Sequence, residues 1–250
     1  MSVYTEFPQQ NKWITTIRIR RIGLDYCIDE LGLDYTANDL SLSQMDLTMN
    51  LCLDDNADVD QIIRLFQKCK YPRHFRRMHL TKKSADQGYF GIRSNDILIK
   101  VYDKIAELEA NDRCPAKLCG KKLVRIEVSL KREAFLEKLS LERKDKLYDM
   151  LAAGYEQAQD VLEEYLQKMF PCSGEFVSYK RAKKAIEIHI RDQQLREQML
   201  YLLKKASRSA GLDTAVQMLR DQYKDVDHRR LKKIYETFDK LNVNVITLGQ

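Results

Sequence analysis

Proline and glycine are scarce in this chain, four and nine among 250 residues. No stretch is rich enough in either to be a low-complexity linker, and the apolar content is too high for a disordered chain. No run of about 18 apolar residues occurs, which excludes a spanning helix. The opening MSVYTEFPQQNKW lacks the apolar core of a signal peptide, so a cytoplasmic location is expected. Histidine is equally sparse: there are four, none precedes His74, and no His-hydrophobic-His pair exists. The six cysteines (27, 52, 69, 114, 119 and 172) are scattered, as reduced and mostly buried thiols would be. Cys114 and Cys119 lie five apart with no second close pair, a weak pattern for zinc. What remains is 44% hydrophobic and 32% charged, enough to bury one large core or two small ones.

The net charge of +6 is unevenly placed. Residues 1–170 hold 27 basic and 27 acidic side chains, and residues 171–250 hold 16 and 10. Within the balanced part, Gln61–Ala85 carries Arg64, Lys68, Lys70, Arg73, Arg76, Arg77, Lys82 and Lys83 with no acid. Tyr71, His74, Phe75 and His79 are interleaved. Such a run can track a phosphate backbone while its aromatics stack on bases, or it can be a solvated loop. Both asymmetries point to a polyanionic partner.

Ser43–Leu53 alternates, with Met45, Leu47, Met49, Leu51 and Leu53 on one side and Asp46, Thr48, Asn50 and Cys52 on the other, as in a half-buried strand. Asp58 can cap a helix whose apolar face is Val59, Ile62, Ile63 and Phe66. The basic run follows as a loop. Strands are then expected at Gly88–Ile92, around Ile97–Val101 and at Leu123–Leu130, with a turn at Ser94-Asn95-Asp96. Beyond Lys131 the period becomes helical. Leu147, Met150, Leu151, Tyr155, Ala158, Leu162, Tyr165 and Met169 form one stripe. Pro171-Cys172-Ser173-Gly174 reads as a hinge, Lys180–Ala206 as one long helix, 212–223 and 227–240 as two shorter ones, and Val243–Leu248 as a closing strand. This order argues an α+β class: an antiparallel sheet domain over 1–140 and a helical, basic region over 141–250. The pair of helices near 212–240 presents His228, Arg229, Arg230, Lys232 and Lys233, and suits either a helix-turn-helix or an ordinary helical hairpin.

Three of the expected strands place reactive residues opposite the apolar side: Asp46, then Tyr102 with Lys100 and Lys104, then Glu127 with Arg125. In one sheet these would converge. Two carboxylates can hold a hard divalent ion, Mg²⁺ or Mn²⁺, which polarises a phosphodiester. A phenol with a pKa of about 10 is a poor nucleophile at neutral pH, and a metal and Lys104 nearby would favour its phenolate.

The runs SLSQMDLTMNL (41–51), LIKVYDKIAEL (98–108) and KLVRIEVSLKREAFL (122–136) together resemble the rolling-circle replication initiators of the filamentous-phage gene II/X type. They are similar, more loosely, to the plasmid initiators with an R-x-Y-x-K strand. The resemblance implies an HUH-endonuclease-like sheet in which Tyr102 nicks one DNA strand at an origin and later rejoins it through a phosphotyrosine. It implies Asp46 and Glu127 as metal ligands and Lys104 and Arg125 as phosphate stabilisers. The chain departs from the family in having only about 40 residues before Asp46, with Gln10-Asn11 where the family can show a metal-binding histidine. On this reading Arg64, Lys68, Lys70, Arg73, Arg76 and Arg77 guide the single strand. Arg229, Arg230 and Lys233 meet duplex origin DNA. Self-association as a homodimer and contact with a host helicase are further partners left open. Two alternatives stand beside it: a regulator that keeps the fold and binds DNA without cutting it, and a structural adaptor that uses its long helices.

Overall fold

The computed structural model describes residues 14–15, 32, 40, 42–54, 58–78, 88–208 and 211–248. Lys82, Lys83, His79, Cys27 and Gln10-Asn11, singled out above, lie outside the described residues. The chain is α+β and divides into two compact units, residues 1–59 with 74–164 and residues 60–73 with 165–250.

The first unit is built on an antiparallel sheet. Its strands are β1 (Ile14–Thr15), β2 (Gln44–Leu53), β3 (Arg76–Arg77), β4 (Tyr89–Arg93), β5 (Ile97–Asp103) and β6 (Lys122–Lys131). Their order is β1-β2-β6-β5-β4-β3. The two long strands β2 and β6 pair over their full lengths in the centre, with Asp46 opposite Ser129 and Thr48 opposite Glu127. Alternation sets the faces. Met45, Leu47, Met49, Phe90, Ile92, Ile99, Val101, Val124, Ile126, Val128 and Leu130 are all buried. Helix α2 (Lys104–Glu109) starts directly after β5, where Asp103 accepts hydrogen bonds from the backbone N–H groups of Ile105 and Ala106. Helix α3 (Arg132–Lys138) starts directly after β6, lies against β2 and β6, and buries Ala134, Phe135 and Leu136.

Helix α4 (Leu147–Met169) is shared between the units. The apolar stripe expected along it holds except at Tyr155, which is 59% exposed, while Gly154 one position earlier is buried. Residues 141–164 therefore belong with the sheet rather than with the later helices, and 60–73 belong with the later helices rather than with the sheet. A cut at residue 140 misses this because burial, not chain order, decides which helix turns share a core.

The second unit contains α1 (Val59–Gln67), the end of α4, α5 (Tyr179–His189), α6 (Gln193–Arg208), α7 (Leu212–Gln222) and α8 (His228–Lys240). The single helix expected over 180–206 is two. Asp192 breaks it by accepting a hydrogen bond from the Leu195 N–H at 2.9 Å, which caps α6. The Leu195 N–H, by favouring the carboxylate, is also the main reason the Asp192 pKa is lowered. Both α7 and α8 pack on α6. Gln198 of α6, fully buried, donates to Asp225 in the α7–α8 turn and accepts from Arg230 Nε at 2.6 Å.

The segment expected to be a hinge is fixed. Cys172 is buried, and Ser173 donates to Asp239 through both its N–H and its hydroxyl. A Cβ on Gly174 would stand 2.4 Å from the backbone nitrogen of Val243. The expected closing strand is reduced to two parallel bridges, Glu175 with Val243 and Ser178 with Leu248. Between them Asn244 donates to the Cys172 carbonyl at 2.6 Å and accepts from the Ile246 N–H, so a buried polar side chain takes the place of ladder bonds.

Candidate active site

Strand register fixes the site. On the face of the sheet opposite the apolar core, cross-strand neighbours form three rows. One runs Tyr89, Tyr102, Arg125, Asn50; the next Gly91, Lys100, Glu127, Thr48; the third Arg93, Leu98, Ser129, Asp46. Arg76 stands opposite Arg93 on the edge strand. Asp46, Tyr102, Arg125 and Glu127 thus share one face, as their alternation required.

Glu127 is the hub. It is only 8% exposed, is ion-paired with Lys100, and accepts hydrogen bonds from the Tyr102 hydroxyl at 3.3 Å and the Ser129 hydroxyl at 3.5 Å. Arg125 donates from Nε to Asn50 at 2.8 Å. The Tyr102 ring stacks on Tyr89, centroids 6.0 Å apart and planes 19° apart. Gly91 makes room for this. A Cβ there would lie 2.9 Å from the Tyr89 ring and 3.0 Å from the Met78 sulfur.

The electrostatics differ from expectation at Tyr102. Burial first, and then the Glu127 charge, push its phenol well above the ordinary value, against the pull of Arg125. Lys104 opens α2 and pairs with Glu107, and its Nζ stands over the Tyr102 ring, 6.0 Å from the centroid. Tyr89 is pushed up to about 12, again by burial and then by Glu127. Alkaline titration followed by tyrosinate absorbance should show Tyr89 ionising at about 12. Because the native state holds that proton more tightly than the unfolded chain, the stability it contributes is complete below pH of about 10. That contribution declines as pH rises through about 12. In Tyr89→Phe this part of the alkaline decline should disappear from the denaturant midpoint.

The two carboxylates expected to hold a metal are not equivalent. Asp46 is exposed and accepts only from the Gln44 amide, at 2.9 Å, among the contacts described. Glu127 is already neutralised by Lys100. Among the described residues no cluster of three or more His, Cys, Asp or Glu side chains is placed to hold an ion. Asp46 fits an ion of the Mg²⁺ kind, which keeps most of its waters and takes one or two carboxylates plus substrate phosphate oxygens.

Beside Asp46, at the end of the third row, a cavity of about 320 Å³ is lined by Gln44, Arg76, Arg93, Asp96, Ser129 and Lys131 among others. Arg93 and Lys131 were missed as candidates. The signal was present: Tyr89, Gly91 and Arg93 alternate onto the face of Lys100 and Tyr102, and Lys131 extends the alternation of Arg125 and Glu127.

The basic run is divided between the two units. Arg64, Lys68, Lys70 and Arg73 fall in the helical unit, and Arg76 and Arg77 in the sheet unit as strand β3 rather than loop. Arg64, Lys70 and Arg73 are exposed. Lys68 donates to the Ser207 carbonyl at 3.1 Å, and its pKa is lowered by burial first and by Arg64 second. On α8, Arg229 and Lys233 are exposed, whereas Arg230 is turned inward onto Gln198. Counted by unit, 60–73 and 165–250 hold 21 basic and 11 acidic side chains, and the remainder 22 and 26. The helical unit therefore carries more than the whole excess.

No protein-family model, curated protein or solved structure matches the chain.

Proposed function

We propose that the protein nicks and rejoins single-stranded DNA, as an initiator of rolling-circle replication does, on the polar face of the sheet. The observation that carries this reading is the contact between the Tyr102 hydroxyl and Glu127, flanked on the same face by Lys100 and Arg125 and by the cations of the cavity that Gln44 and Ser129 line. Tyr102 Oη attacks phosphorus and its proton passes to Glu127 Oε2. The P–O bond to the 3′-oxygen breaks, that oxygen takes up a proton from water to leave as the 3′-hydroxyl, the 5′-phosphate stays on the tyrosine, and rejoining reverses the step. Arg125 stabilises the charge that builds on the phosphoryl oxygens. Asp46 would hold a divalent ion, which supplies polarisation of the phosphodiester when bound. Arg229 and Lys233 on α8 would contact duplex origin DNA as in a helix-turn-helix, with Arg230 bracing that helix from within.

One observation favours a second reading, a regulator that binds DNA without cutting it: the Tyr102 phenol is held protonated and Lys100 already satisfies Glu127. Covalent capture separates the two. An adduct with a labelled single strand and Mn²⁺ in the wild type, absent in Tyr102→Phe, supports the first; binding without an adduct in either protein supports the second. The track itself is tested by salt. Each phosphate contact on a single strand contributes a slope of about −0.7 in log K against log salt. Replacing Arg76, Arg93 and Lys131 by Gln together should flatten that slope by about 2. An unchanged slope would remove the cavity from the interface.

A further inference from the structure

The connection between α2 and β6 brings two thiols together. Asn111–Lys121 turns back on itself through Asp112 and Gly120, which have φ of 53° and 74°. A short 3₁₀ turn, Ala116–Leu118, sits between the cysteines and is closed by Leu118 N–H to the Pro115 carbonyl at 2.8 Å. Cys119 N–H to Ala116 at 3.3 Å and Lys121 N–H to Leu118 at 3.0 Å continue it. The result holds the Cys114 and Cys119 sulfurs 3.7 Å apart. Both also reach the Pro115 carbonyl, at 3.8 and 3.6 Å. Cys119 is exposed and Cys114 half-buried. No other pair of cysteines has a sulfur–sulfur contact among the described residues.

We propose that Cys114 and Cys119 are a dithiol modification site that a low-molecular-weight disulfide converts to an intramolecular disulfide. A disulfide needs its sulfurs about 2.05 Å apart; these stand 3.7 Å apart in a loop, and neither is buried in a core. A closed zinc site would need four donors, and no cluster of three is placed to hold an ion among the described residues. The chemistry balances. The Cys119 thiolate attacks one sulfur of the reagent, the reagent's S–S bond breaks, and one small thiol leaves. The Cys114 thiolate then attacks Cys119 Sγ and expels the second small thiol. Two protein thiols are oxidised, one disulfide is reduced, and both protons end on the released thiols. The order follows the surroundings, since Cys119 is the exposed sulfur and the Cys114 pKa is raised, by desolvation first and then by Cys119. Proximity makes the second step intramolecular and fast.

The other cysteines among the described residues are the controls. Cys69 and Cys172 are buried, with thiols pushed up chiefly by that burial, Cys172 to about 12. Cys52 is exposed and has no neighbouring thiol among the described residues. The full chain treated with oxidised glutathione and mapped by peptide mass should show Cys114 linked to Cys119 with no glutathione retained on either. Cys52 should carry a stable glutathione adduct. In Cys114→Ser, retention of glutathione on Cys119 should rise by about tenfold or more, because the resolving thiol is gone. Glutathione retained on Cys119 in the wild type, or both thiols left free while Cys52 is modified, would overturn the proposal.

Discussion

Tyr102→Phe should reduce covalent capture of a single-stranded oligonucleotide by about four orders of magnitude or more, with binding changed less than about threefold. The asymmetry follows from what the hydroxyl does. Its ring lies on Tyr89, and phenylalanine preserves that stack, so the binding face survives. The hydroxyl alone reaches Glu127, at 3.3 Å, so its loss would remove both the proposed nucleophile and the donor of the proposed proton transfer. The environment adds a pH signature. Burial and Glu127 hold the phenol protonated, so the phenolate is not populated near neutral pH and attack must be coupled to proton transfer. Adduct formation in the wild type should therefore show no plateau belonging to a free tyrosinate near pH of about 7, and it should fall in Glu127→Gln. Capture that Glu127→Gln leaves unchanged would show that the proton goes elsewhere. Lys100 sharpens the test. It is paired with Glu127, so Lys100→Met should free that carboxylate to take the Tyr102 proton while removing a cation from the proposed single-strand path. Capture per bound strand and affinity should then move in opposite directions.

Gly174→Ala should cost the helical unit about 3 kcal/mol or more, an unusually large effect for one added methyl group. The obstacle is backbone on all sides: the new Cβ would meet the nitrogen and carbonyl carbon of Val243 at 2.4 and 2.6 Å and the carbonyl carbon of Asn242 at 2.7 Å. No rotamer relieves a clash with main chain. The segment that must shift also carries the Glu175–Val243 bridge and the Asn244 bonds to Cys172 and Ile246, so its polar groups would lose partners together. Urea denaturation followed by helical circular dichroism checks the magnitude, and hydrogen exchange should place the lost protection at residues 172–178 and 242–248. Gly120→Ala is the contrast. No atom lies within 4 Å of its added Cβ, and only the left-handed φ of 74° opposes it, a cost nearer 1 kcal/mol. Equal losses in the two variants would show that the close approach at Gly174 is not what holds the segment.

The strands of the site were legible because their period is 2 and one side is apolar. Once Met45, Leu47 and Met49 must be buried, Asp46 is forced to the other face, and the same holds for Tyr102 and Glu127. The partners were not legible. That Lys100 rather than Lys104 meets Glu127 depends on β5 pairing with β6 in a register that sets Lys100 opposite Glu127. Lys104 is one residue past the end of β5, and the Asp103 cap turns it onto a helix and toward Glu107. Alternation puts Arg93 and Lys131 on the polar face, but that both line one cavity with Gln44 and Arg76 depends on strand pairing. How the basic run divides was not legible either, because contiguous charge in sequence says nothing about which core its neighbours bury. Ile63, Leu65 and Phe66 anchor the first half in the helical unit, and pairing with β4 anchors the second half in the sheet.

The sequence by itself determined the α+β class, the identity of the polar strand face and the sign of the tail's charge, since each depends on local periodicity or a count. Tertiary structure alone decided that the tyrosine is held protonated against a carboxylate and that the supposed hinge is a locked crossing of two backbones. It also decided that Cys114 and Cys119, five apart in one loop, hold their sulfurs 3.7 Å from each other. These distances are set by strand register, by a backbone crossing and by the path of a turn, none of which any repeat in the sequence displays.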